Sequence, residues 1–148
     1  FADGFRYVCR ELAKAIARDG EGATKLIETT VTGAESDEAA RAIAKTIIGS
    51  SLVKSAMFGA DANWGRIIAA AGRAGVPLNV HAVDIRLGDI SVLEQSRPVV
   101  FDEEAALEYL KGDTVAIHVD LNMGSGRAVA WGCDLTYDYV RINAAYRT

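Results

Sequence analysis

The chain has 148 residues, half of them apolar and 24% charged, with a formal net charge of −4. That is enough for one domain or two small ones, burying roughly 70% of the surface of the unfolded chain. The acidic balance offers no basic footprint for nucleic acid, and no apolar run approaches the roughly 18 residues that a membrane-spanning helix needs.

The first residues, Phe1-Ala2-Asp3-Gly4, carry neither an initiating Met nor a targeting pattern, as expected of a piece cut from a longer polypeptide. Apolar positions Phe5, Val8, Cys9, Leu12 and Ile16 then recur near helical spacing over residues 5–18. Lys14 and Arg18 lie toward the C-terminal end, where cations suit the helix dipole. Asp19-Gly20-Glu21-Gly22-Ala23-Thr24-Lys25 follows, with one carboxylate between two glycines. Glycine permits sharp turns and close approach, so Glu21 would sit at the mouth of a helix-to-strand turn, where site residues often lie. The plain alternative is a helix stop at Gly20 followed by a solvated Glu.

Residues 23–32 are rich in β-branched side chains and predict a strand ended by Gly33. Ser36-Asp37-Glu38 supplies an N-cap and two acids for a helix that reaches Gly49. Residues 52–58 are a short strand candidate. In Asp61-Ala62-Asn63-Trp64-Gly65-Arg66, capping accounts for Asp61 and Asn63, packing for Trp64 and an ion pair for Arg66. A helix over 67–74 ends before Gly75 and Pro77. Two strands, 81–87 and 90–93, flank Gly88-Asp89, and Gln95-Ser96-Arg97-Pro98 is a turn. Asp102 caps a helix through Leu110. Residues 114–121 alternate as a strand, and residues 127–133 are its expected hairpin partner across a loop at Gly124-Ser125-Gly126. That loop lacks the Lys-Ser/Thr of a phosphate-binding loop. A short helix closes the chain. Cys9 and Cys133 read as buried thiols, and His81 and His118 as structural or surface residues, since no spaced Cys/His set is present.

The order α-β-α-β-α, then β-β-α-β-β-α, implies an α+β fold in two lobes: an N-terminal α/β part over 1–78 and a C-terminal subdomain over 79–148. The second would be a mostly antiparallel sheet with a packed helix.

Asp19 to Lys25, Gly59 to Ile67, Asp84 to Asp89 with Phe101 to Ala106, and Cys133 to Asn143 with Tyr146-Arg147-Thr148 closely resemble the ornithine acetyltransferase family. This is the glutamate N-acetyltransferase of the cyclic arginine pathway, often called the arginine-biosynthesis bifunctional protein. The resemblance covers essentially the whole chain, with Ala62 standing where the family is expected to have Pro. It implies a cytoplasmic enzyme that moves acetyl from N2-acetylornithine to glutamate. It also implies a precursor that cuts itself before a threonine, which then serves as an N-terminal nucleophile with its own α-amine as base. These residues would belong to the β chain, with no catalytic residue among them. The implied partner is the α chain of the same precursor, in an α2β2 assembly. Neither metal nor cofactor is implied; acetyl-CoA would be a donor if the enzyme is bifunctional. Glu21, Asn143 and Thr148 match substrate-contacting positions, and a carboxylate, an amide oxygen and a terminal carboxylate suit the δ-ammonium of ornithine. The competing readings are an N-terminal-nucleophile aminopeptidase of similar fold and an amino-acid-binding regulatory domain.

Overall fold

The computed structural model describes residues 1–145. Its elements run α1 (Ala2–Arg18), β1 (Leu26–Ala34), α2 (Asp37–Ile48), α3 (Ser51–Phe58), α4 (Trp64–Gly72), β2 (Asp84–Leu87), β3 (Ile90–Glu94), β4 (Arg97–Pro98), α5 (Glu103–Leu110), β5 (Thr114–Asp120), β6 (Gly126–Cys133) and α6 (Tyr137–Ala145). The α+β class follows directly. Helix starts sit where the local chemistry puts them. The Ser36 hydroxyl accepts from Ala39 N, Asn63 Oδ1 from Arg66 N, and Asp102 Oδ1 from both Glu104 N and Ala105 N, each satisfying amides that the first turn leaves free.

The six strands form one sheet in the order β4-β3-β2-β5-β1-β6. β1 lies parallel to β5 and antiparallel to β6; the other pairs are antiparallel. The 78/79 division falls in the connection between α4 and β2, and the sheet joins strands from both sides of it.

Three expectations are corrected. Residues 51–58 form α3 rather than a strand. Ser50 caps it at Val53 N, and Val53, Ala56 and Met57 are buried at helical spacing, a pattern that a run this short does not distinguish from a strand. The β5–β6 hairpin does not form either, because β1 lies between the two. The 121–125 loop instead crosses the end of β1, with Leu121 N donating to Thr32 O and both Met123 N and Gly124 N to Gly33 O. A Cβ on Gly124 would stand 2.6 Å from Ala34 O, so this loop is pressed onto the end of β1. Residues 97–98, expected as turn, pair with β3.

Alternation gives the sheet two different faces. Ile27, Val31, Val115, Ile117, Val119, Ile85 and Leu87 are buried beneath the helical layer. Gly132 belongs to this face, where a Cβ would meet Ile48 of α2. Glu28, Thr30, His118, Asp120, Asp84 and Arg86 occupy the other. There α1 lies over β6 and β1, held by Lys14, whose ammonium is 3.4 Å from Glu28 and over the Trp131 ring, and by Trp131 Nε1 donating to Glu28 at 2.6 Å. Arg18 donates to Asp113 at 2.8 Å.

His118 stands on this polar face opposite Arg86. Burial, and secondarily the Arg86 charge, pushes its pKa below the ordinary 6.5. The unfolded chain therefore takes up this proton at a higher pH than the folded one. Stability from this residue is present above 6.5 and is lost as pH falls toward the folded value. His118→Gln should flatten the pH dependence of the denaturation midpoint just below 6.5. An unaltered slope in urea titrations across that range would contradict the assignment.

Candidate functional site

The site begins with a register. In the antiparallel pairing of β1 with β6, Leu26 lies opposite Cys133. The residues just before β1 therefore lie beside those just after β6, although about three-quarters of the chain separates them.

A carboxylate ties the two together. Asp134, buried, accepts at Oδ1 from Thr24 N (2.8 Å) and Lys25 N (2.9 Å), and at Oδ2 from Thr24 Oγ1 (2.5 Å). Thr136 Oγ1 donates to Gly22 O at 2.6 Å and accepts from Tyr139 N at 3.1 Å, at the start of α6. Lys25 runs inward, and its ammonium donates to Met57 O and Leu110 O, both at 2.7 Å, and to Phe58 O at 3.4 Å. These carbonyls end α3 and α5, where helix dipoles favour a cation. Burial pushes the Lys25 pKa down, and the Asp134 charge works in the opposite direction.

The two glycines around Glu21 answer to this packing. A Cβ on Gly20 would stand 2.5 Å from Cys133 Sγ, and one on Gly22 would stand 2.7 Å from Tyr139 N. Gly22 also has φ +68°, a region that disfavours a side chain. The positive φ thus falls at Gly22, and α1 is capped by Asp19.

On this frame Glu21 and Asn143 meet. Asn143 Nδ2 donates to Glu21 Oε2 at 2.6 Å and to Tyr139 O, one turn earlier in α6, at 2.8 Å. Both side chains are exposed. Among the described residues no other side chain donates to Glu21 Oε1 or Asn143 Oδ1. Thr148, the third expected site residue, lies outside the described residues. A cleft of about 450 Å³ lies elsewhere, on the polar sheet face, lined by Thr30, Asp84, Arg86, Glu94 and His118 among others. It contains neither Glu21 nor Asn143.

Other candidates resolve into structure. The Thr24 hydroxyl is engaged by Asp134, and the Thr29 hydroxyl, which has no hydrogen-bond partner among the described residues, is closed off from solvent on the core side of β1. Asp61 Oδ2 accepts from Asn63 Nδ2 at 3.0 Å, and Asn63 caps α4. Arg66, expected in an ion pair, donates instead to Leu52 O and Ser55 Oγ. Cys9 is exposed rather than buried, since α1 turns that side away from the sheet, and Cys133 is half-buried; both are free. Sequence reasoning missed Asp134 and Lys25. Both fall inside the motifs that carry the family resemblance, but locally they read only as a carboxylate directly after a strand and a lysine directly before one.

The ArgJ family model matches residues 1–148. The chain belongs to the ArgJ family. It is 59% identical, over its whole length, to the arginine biosynthesis bifunctional protein ArgJ of Geobacillus kaustophilus, of which it covers 36%. It is 60% identical over 150 residues to that of a Synechococcus, covering 95% of this chain and again 36% of the relative. The crystal structure of the arginine biosynthesis bifunctional protein from Bacillus halodurans superposes with a TM-score of 0.95 at 58% identity, covering 97% of this chain and 68% of that one. The chain thus spans about a third of the length of these curated relatives.

The Asp134 carboxylate is expected to carry much of this local structure. Asp134→Ala leaves the buried Lys25 amide and the part-buried Thr24 amide and hydroxyl without their charged acceptor and should cost about 3 kcal/mol of stability. Asp134→Asn, which keeps the Oδ1 acceptor, should cost less. Equal unfolding free energies for the two variants in denaturant titration would contradict the clamp.

Proposed function

We propose that this chain is the β-chain portion of an acetyltransferase that moves acetyl from N2-acetylornithine to glutamate in arginine biosynthesis. The observation that carries the reading is the 2.6 Å bond between Glu21 and Asn143. It joins, across the whole chain, two residues that the family resemblance assigns to substrate contact. Family membership and the relatives' shared name support it as well.

The chemistry follows from the charges. Ornithine brings a δ-ammonium with three donors, and Glu21 and Asn143, joined by their hydrogen bond, offer a carboxylate and an amide oxygen that no other described side chain engages. Asn143 fixes the rotamer of the carboxylate, and the Asp134 and Thr136 bonds fix the backbone beneath it. In this reading Thr148 belongs to the same substrate-contacting set. The chain's own residues bind and orient the ammonium end. The amide bond of N2-acetylornithine breaks as an N-terminal threonine outside these residues takes the acetyl as an ester, the threonine hydroxyl proton leaving with the ornithine amine, and a second amine, that of glutamate, takes the acetyl from that ester. The threonine oxygen–acyl bond breaks as the new amide forms, and the amine proton returns to the threonine side. The oxyanion donors come from the α chain, and the assembly is an α2β2 heterotetramer in the cytoplasm. Among the described residues no helix is long and apolar enough to cross a membrane. No bound cofactor is needed. Acetyl-CoA enters as an alternative donor in a bifunctional enzyme, a word that the relatives' names carry.

The test uses the full-length protein. Wild type should convert N2-acetylornithine and glutamate to ornithine and N-acetylglutamate. Glu21→Gln should raise KM for N2-acetylornithine about tenfold or more, the loss of one charge-assisted contact of about 1.5–3 kcal/mol. Glu21 is exposed, so the melting temperature should barely move. A lowered melting temperature with normal kinetics would make the Glu21–Asn143 pair a structural tie instead.

A further inference from the structure

The helix α1 packs against the sheet with an unexpected side. Ala13, Lys14 and Ala17 are its half-buried positions, and Lys14 makes the contacts to Glu28 and Trp131. The apolar stripe points elsewhere. Phe5, Val8, Leu12 and Ile16 recur at steps of three, four and four, so they share one face, and that face is 63%, 52%, 58% and 77% exposed. Covering four such side chains would remove a large apolar area from water, which is favourable. A contiguous stripe of this kind marks a contact surface rather than scattered surface apolars.

The neighbouring element carries an independent sign. β6, which α1 overlies, is the last strand of the sheet. It spans eight residues, Gly126–Cys133, and its outer edge pairs with no described strand. A long edge of this kind invites strand pairing unless it is covered. The stripe and the open edge belong to adjacent elements at the same end of the sheet.

The comparisons point to the occupant. The fold of this chain recurs in the Bacillus halodurans structure with a TM-score of 0.95, yet accounts for only 68% of that chain, and this chain covers 36% of the Geobacillus kaustophilus relative. A large part of such a protein lies outside the portion matched. We propose that residues of the same protein outside 1–148 dock on the apolar stripe of α1 and along the open edge of β6, so that α1 is an internal helix of the complete protein. The inference rests on family membership and not on the acetyl-transfer reading, and its readouts need no turnover.

Cys9 reports on this surface directly. It lies four residues after Phe5 and three before Leu12, within the stripe, and is exposed in this chain. In the full-length protein its alkylation by iodoacetamide, followed by peptide mass, should run about 100-fold slower than that of a free exposed thiol, because reaction must wait for local opening. In the same protein, p-benzoylphenylalanine in place of Phe5 should crosslink to residues outside 1–148. Cys9 reacting as fast as an exposed thiol would overturn the proposal. A crosslink to residues within 1–148 of a second copy would overturn it equally, by naming a different occupant.

Discussion

The Asp134 carboxylate is the fixed point of this fold. It sits directly after β6, is buried, and accepts three hydrogen bonds from Thr24 and Lys25 directly before β1. A buried carboxylate without partners would be strongly unfavourable; with two backbone amides and a hydroxyl it becomes an anchor. The consequences spread in two directions. Inward, the backbone held by Asp134 delivers the Lys25 ammonium to the last carbonyls of α3 and α5, so one side chain finishes two helices on the core side of the sheet. Outward, the same clamp sets the loop that carries Glu21 against the start of α6.

The candidate site is therefore a product of strand register. Glu21 and Asn143 meet because β1 and β6 run antiparallel with Leu26 opposite Cys133. The glycines flanking Glu21 allow the approach, since a Cβ on either would collide with Cys133 or with the backbone of α6. Neither glycine exists to make Glu21 mobile. A carboxylate on a loop fixed by its neighbours is pre-organised for a cationic group and loses little freedom on binding.

The molecule is uneven in how it uses its apolar surface. The core face of the sheet is closed by α2 and its neighbours, and the buried set there is continuous. The opposite face is polar where it faces the cleft lined by His118 and Arg86, and α1 is fastened to it through Lys14 and Arg18 with Ala13 and Ala17 half-buried beside them. Helix α1 thus turns its Phe5, Val8, Leu12 and Ile16 side away from the sheet. Its amphipathic pattern fits a layered protein larger than this chain.

Much of this was legible in the residues themselves. The helical spacing of Phe5 to Ile16, the caps at Ser36, Asn63 and Asp102, and the alternation of Thr114 to Asp120 are local signals, and local signals survive in sequence because caps and periodicity act over a few residues. The motifs around Glu21 and Asn143 likewise marked the family. What the sequence could not carry was pairing. Nothing within residues 114–133 shows that β1, eighty residues earlier in the chain, would come between β5 and β6, because strand partners are chosen by burial of faces contributed from distant segments. The helix over Ser51–Phe58 shows the same limit at short range, where eight residues fit either period and packing of Val53, Ala56 and Met57 decides. Local chemistry wrote the elements and their ends; the tertiary structure alone chose their neighbours, and with them the contact between Glu21 and Asn143.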